Sequence, residues 1–164
     1  MSARIILLTG PVHTGKSTAL NQFIARKRKQ GELLMGLVNP DIDSQKWFVN
    51  VLDEKKILMD AAPNETAVIE IGKYRFSQSA FARTKQLLIE QSQQKSDWFI
   101  IDEIGKLELK GKGLEPEVSV AIANAGTNAK NLILVIRDYL LEDAIEHYRL
   151  GDCRVIKTDD LDEI

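Results

Sequence analysis

The stretch "IILLTGPVHTGKSTAL" (residues 5–20) does more than any other to fix what this chain can fold into. A short, unbroken apolar run, Ile5–Leu8, reaches Gly10 and a loop of small and polar residues. The chain leaves that loop through Gly15, Lys16 and Ser17 into an amphipathic segment. A run of this kind reads as a strand buried on both faces. Over residues 16–30, Ala19, Leu20, Phe23 and Ile24 share one side of a helix, and Gly31 is placed to end it. A strand covered on both faces needs helices above and below its sheet, so the expected architecture is layered α/β.

The pattern recurs along the chain. Leu33–Val38, "DWFIIDEIG" (97–105), "NLILVIRD" (131–138) and Arg154–Ile156 read as further buried strands. "TAVIEIG" (66–72) is another strand. A long helix is expected from about Ser77 to Gln94, with Ser77 as cap and Ala80, Phe81, Leu87 and Leu88 inward. A shorter helix is expected near 117–125. Another has Leu140, Leu141, Ala144, Ile145 and Tyr148 on one side, with Asp138 as its cap. "WFVNVLDEKKILMD" (47–60) reads as an antiparallel hairpin turning at Asp53-Glu54-Lys55. Strands alternating with helices imply a largely parallel sheet with an inserted antiparallel hairpin, in one domain spanning residues 1–164.

The charge balance, 22 basic against 24 acidic residues, gives no argument for a nucleic-acid or membrane surface. The basic run "ARKRKQ" (25–30) falls in the last turn of the first helix, where cations suit the helix dipole. A single cysteine, Cys153, rules out an internal disulfide framework and suits a reducing compartment. The apolar run at Ile5 is too short for a signal peptide or a membrane span. A soluble, cytoplasmic protein is expected. The acidic end, "TDDLDEI", reads as solvated, and nothing in the sequence specifies an oligomeric state.

Gly10–Ser17 fits the phosphate-binding loop G-x-x-x-x-G-K-S/T at every defined position. Its glycines let successive backbone N–H groups converge on one concavity. Pro11, Val12, His13 and Thr14 fill the variable positions, and Gly15 opens a helix whose unpaired N–H groups and positive dipole end favour an anion. Lys16 is the cation for the β- and γ-phosphates. The Ser17 hydroxyl can ligate Mg²⁺, with Thr18 beside it. A second requirement is a carboxylate at the end of a neighbouring buried strand. Asp102 follows four apolar residues and can position Mg²⁺. Glu103, directly after it, stands where P-loop ATPases keep the carboxylate that activates water. In such nucleotidases with an additional strand, a polar residue ending the next strand often senses the γ-phosphate. Here that residue is Arg137, and an ordinary surface arginine is the competing reading.

"GPVHTGKST", "IGKYRF" and "IDEIGKLEL", in this order and spacing, resemble the small P-loop nucleoside-triphosphatase family of thermophilic microbes and animals. The animal members are called cancer-related nucleoside triphosphatase. The resemblance runs over nearly the whole chain, and "DEIGKLEL" (102–109) is its most specific part. It implies a P-loop NTPase fold and slow, Mg²⁺-dependent hydrolysis of ATP, GTP and other nucleoside triphosphates with little base preference. Carried over by position, Gly10, Gly15, Lys16, Ser17 and Thr18 bind phosphate and metal, Asp102 positions Mg²⁺ and Glu103 is the base. Two stretches depart from the family pattern. Residues 39–48, "NPDIDSQKWF", lack the usual arginines and carry only Lys46, and "KGKGLEPEV" (110–118) is looser than a continuing helix.

A small-molecule or nucleotide kinase using the same loop is the alternative. Against it, the lid-sized segment Gly105–Glu117 contains no arginine. A guanine-reading switch would need N-K-x-D after a strand, which is absent, as is any LSGGQ-like transporter signature. Lys73 and Arg75, ahead of the long helix, can be read either as phosphate ligands or as structural pairs.

Overall fold

The computed structural model describes residues 2–10 and 15–164. The first strand, β1 (Arg4–Gly10), leads to α1 (Lys16–Lys29), which ends at Gln30 and the positive-φ Gly31. Then come β2 (Leu34–Val38), β3 (Asp41–Ile42), β4 (Gln45–Asn50) and β5 (Lys56–Leu58). The strands β6 (Val68–Ile71) and β7 (Tyr74–Ser77) precede α2 (Gln78–Ser92). Next are β8 (Ser96–Ile104), a single-turn α3 (Lys106–Leu109) and α4 (Glu117–Asn128). Last are β9 (Ala129–Arg137), α5 (Leu141–His147) and β10 (Arg154–Ile156), and the chain closes in a 3₁₀ segment, Thr158–Glu163.

The main sheet runs β10-β1-β9-β8-β2-β4-β3, and β5 pairs β4. The contacts β10–β1, β1–β9, β9–β8 and β8–β2 are all parallel, as the fully apolar runs require. β4 lies antiparallel to β2, β3 and β5. Residue alternation divides the core between the two faces of the sheet. Ile6 and Leu8 of β1 and Trp98 and Ile100 of β8 pack with Leu20, Phe23 and Ile24 of α1. Leu7, Phe99, Ile101, Leu132 and Leu134 pack on the other face, with Leu88 of α2 and Val118 and Ala121 of α4. Among the described residues, no helix is long and apolar enough to cross a membrane.

Several expectations change at their edges. The hairpin expected over residues 47–60 forms, but "IGKYRF" also closes a second hairpin, β6–β7, as a separate sheet. Sequence pattern alone reads only its first strand, because β7 is short and runs straight into α2. Ser77 does cap that helix, its hydroxyl accepting from the Ala80 N–H at 3.2 Å. Asp138 does not cap the later helix. A 3₁₀ turn, Asp138–Leu140, intervenes, and the carboxylate accepts from the neighbouring Tyr139 N–H at 2.8 Å. The acidic end is only partly solvated. Leu161 is buried against α1, and Arg26 donates to the carbonyls of Leu161 and Ile164 at 2.6 and 3.3 Å. The basic run is therefore structural: Lys27 is buried and pairs with Glu32 at 3.2 Å, and Arg28 pairs with Glu54 at 3.0 Å.

One glycine is indispensable to the sheet. Gly36 sits in β2 beside Ile100 of β8 with φ +115°, and its N–H donates to Gln91 Oε1 at 2.8 Å. An added Cβ would strike the Ile100 carbonyl oxygen and lie 2.7 Å from the Ile100 nitrogen. Both atoms belong to backbone in the sheet centre and cannot swing aside. Gly36→Ala is expected to cost about 2–4 kcal/mol, from backbone strain plus a broken ladder. Chemical denaturation read by circular dichroism checks this; an unchanged midpoint contradicts it.

Candidate active site

The C-terminal ends of β1, β9 and β8 lie side by side, with Gly10 registered to Arg137 and Asp102 to Val135. α1 begins at Lys16 after Gly15, which takes the left-handed conformation at φ +78°. The first turn of that helix thus stands over the same edge of the sheet. Lys16 reaches back to the end of β1, its Nζ donating to the Gly10 carbonyl at 3.1 Å. Ser17 and Thr18 are exposed at the start of the helix. Pro11, Val12, His13 and Thr14 lie outside the described residues.

Asp102 and Glu103 part company through a bulge. The ladder between β8 and β9 pairs Asp102 with Val135 and then Ile104 with Ile136, leaving Glu103 unpaired between them. Regular alternation would send Ile104 to the α1 face, with Trp98 and Ile100. Instead it joins Phe99 and Ile101 in the opposite core. Asp102 keeps its place on the α1 side. Adjacent residues on a regular strand point to opposite faces of the sheet. The strand continues, and the extra residue gives Glu103 its own direction.

Their surroundings differ accordingly. Asp102 is 4% exposed and accepts the Asn39 N–H at 3.1 Å. Burial, and then the neighbouring Glu103 charge, push its carboxyl up to about 7, opposed by the Asn39 N–H, Lys46 and Lys16. A carboxylate held this way gains from a cation beside it. Glu103 is half-buried, and its Oε1 lies 2.8 Å from Nε of Arg137. Arg137 is therefore no loose surface arginine. Burial works against its charge, yet Glu103 and Tyr139 hold its pKa above the ordinary value.

Sequence reasoning missed two participants. Asn39, just after β2, supplies the backbone donor to Asp102. Lys46 of β4 reaches the same surroundings while pairing with Asp41 at 3.4 Å. Neither sits in a recognisable motif, and only the β2–β4 pairing delivers them. The remaining polar candidates are engaged elsewhere. Arg75 donates to the Glu65 carbonyl at 2.7 Å within its own hairpin, and Lys73 lies over the Tyr74 ring. Glu108 is buried and accepts the N–H groups of Gly105 and Leu114, each at 3.0 Å. This ties α3 to the loop after it, so "KGKGLEP" is an anchored turn.

A glycine loop between a central parallel strand and a helix, with one strand inserted before an Asp-Glu strand end, defines a P-loop NTPase fold of the additional-strand kind. The solution structure of a human cancer-related nucleoside triphosphatase matches it with TM-score 0.72 at 18% identity, over 98% of this chain and 95% of that one. The crystal structure of THEP1 from the hyperthermophile Aquifex aeolicus matches with TM-score 0.62 at 17% identity, over 97% and 95%. A comparison with curated proteins found no match. A family model described as NTPase matches residues 5–160. The chain belongs to the NTPase family and is a nucleoside-triphosphatase.

Proposed function

We propose that the chain hydrolyses nucleoside triphosphates to the diphosphate and phosphate, using Mg²⁺, with Glu103 as general base. The observation that carries this reading is the bulge. It aims Glu103 away from Asp102 at the end of the strand two places from β1, and Arg137 holds it there. Gly10, Gly15, Ser17, Thr18 and Lys16 would bind the phosphates, with Pro11, Val12, His13 and Thr14 completing the loop. Arg137 would sense the γ-phosphate and keep Glu103 from folding onto Asp102. A water placed between Glu103 and the γ-phosphorus loses its proton to Glu103 as it attacks.

The donors fit Mg²⁺. Among the described residues no cluster of three or more His, Cys, Asp or Glu could cage a metal. A hydroxyl at Ser17 and one buried carboxylate at Asp102, completed by water and substrate oxygens, are hard ligands suited to this ion. Bound there, Mg²⁺ would neutralise charge on the β- and γ-phosphates. With a single cysteine, Cys153, and near-balanced charge, the reading places the activity in the cytoplasm, with no nucleic-acid or membrane partner.

The base would lie in a groove on the far side of β1 from Glu103, between Thr18, Ala19 and Gln22 of α1 and Thr158, Asp159 and Leu161 of the 3₁₀ segment. These are small or flexible groups, with no aromatic clamp, and such contacts discriminate weakly between bases. Purine and pyrimidine triphosphates should therefore turn over within about an order of magnitude of one another. Phosphate release measured with ATP, GTP, CTP and UTP tests the reading. A preference of several orders of magnitude contradicts it, and no release from any of them contradicts hydrolysis itself.

A further inference from the structure

A second cavity, of about 300 Å³, opens beside Glu103 and Arg137 and is far more apolar than the groove. Phe76, Phe81 and Leu114 are buried in its wall, while Glu103 and Arg137 stand at one end. At its rim are Ile71, Tyr74 and Tyr139, exposed by 37%, 40% and 54%. Large exposed apolar side chains gathered at one opening are the mark of a binding site.

Strand order sets this cavity apart from the groove proposed for the base. The groove proposed for the base lies beside α1 and the segment after β10, whereas the cavity is walled by β4, β7, the start of α2, α3 and the ends of β8 and β9, with Asn39 also in its lining. With β10-β1-β9-β8 as the order, the two lie on either side of β1. A triphosphate whose base occupies the groove brings only its γ end to Glu103, leaving the cavity empty.

We propose that this cavity takes a second substrate, a small alcohol carried on a flat aromatic or heteroaromatic ring, and that the chain phosphorylates it. The ring is the part the walls select. Tyr74 and Phe76 lie nearly parallel, 10° apart with centroids 5.4 Å from each other, and Lys106 lies over the Tyr139 ring. The hydroxyl is the part Glu103 selects, since it occupies the place of the attacking water. The hydroxyl oxygen bonds to the γ-phosphorus and its proton passes to Glu103. The bond from that phosphorus to the β–γ bridging oxygen breaks, and the diphosphate leaves with the electron pair. Hydrolysis is then the reaction of the same site with water in place of the alcohol. The proposal rests on Glu103 facing the γ-phosphate, as in the hydrolytic reading.

The test uses the full chain with Mg²⁺ and ATP, and adenosine or 4-hydroxybenzyl alcohol as probe. Phosphorus NMR reads ester formation, and methyl NMR follows Ile71 and Leu114 of the cavity wall. A new phosphate-ester signal with shifts of these methyls is expected, and which probe gives it separates a nucleoside from a simple aromatic alcohol. Tyr74→Ala, on the exposed rim, should raise the probe concentration needed for half-maximal ester formation about tenfold, from lost stacking. Hydrolysis that proceeds with no ester from either probe overturns the acceptor pocket, as does a probe that shifts the methyls without being phosphorylated. Glu103→Gln that still releases phosphate at the wild-type rate overturns instead the shared reading of Glu103.

Discussion

Glu103→Gln is expected to bind ATP with Mg²⁺ at least as tightly as the wild type while turnover falls about a hundred-fold or more. The substitution keeps the length and planarity of the side chain and removes only its basicity. Its Oε1 can still accept from Nε of Arg137, now 2.8 Å away. The ion pair is partly exposed, 33% at Arg137 and 27% at Glu103, and Gln keeps the hydrogen bond, so the fold should be weakened by only about 1 kcal/mol. Removing a negative charge near the γ-phosphate should, if anything, favour the bound triphosphate. Single-turnover phosphate release and equilibrium binding of a fluorescent ATP analogue separate the two effects. Persistent turnover with collapsed affinity would make Glu103 a metal or structural residue. Glu103→Ala would be a poorer test, because it also releases Arg137 from the position that the ion pair gives it.

Lys16→Ala should abolish measurable hydrolysis, with a fall of about a hundred- to a thousand-fold from the loss of one donor to the reacting phosphate, and should weaken triphosphate binding. In the structure its Nζ bridges to the Gly10 carbonyl at the end of β1. On the proposed reading, this would hold the cation beside the bound phosphates. The side chain lies at the surface end of α1, away from Leu20, Phe23 and Ile24, which fasten that helix to the sheet. Thermal unfolding should therefore change by only a few degrees. Hydrolysis at the wild-type rate would mean that the glycine loop is not the active site. Lys16→Arg separates charge from shape. A planar guanidinium cannot occupy the place of a compact ammonium, so it too should turn over slowly.

The loop, the two-faced sheet and the adjacent carboxylates were legible in the residues because each is a local pattern. Ile5–Leu8, Phe99–Ile101 and Leu132–Ile136 are apolar without interruption, and only a strand covered on both sides tolerates that. A glycine at 10 and another at 15, followed by Lys16 and Ser17, form a motif that a few neighbouring positions spell out in full. Other features depended on partners distant in sequence. Arg137 could be read as a sensor or as a surface residue until β9 was seen between β1 and β8, within reach of Glu103. The acidic tail looked solvated because nothing near it announces that Arg26, well over a hundred positions earlier, will bond its carbonyls. β7 was overlooked because a four-residue strand has too few side chains to show a period.

By itself, then, the sequence determined the fold class, since burial patterns act over a few neighbouring positions. The tertiary structure alone decided how the two carboxylates divide. Asp102 and Glu103 are identical in kind and adjacent in the chain. A bulge against β9 lets one enter the buried α1 side beside the Asn39 N–H while the other turns out to Arg137. Burial and a neighbouring like charge raise the first towards 7, and the guanidinium fixes the second in place. Those influences come from strands that meet only after the sheet has closed, and no short stretch of sequence contains them.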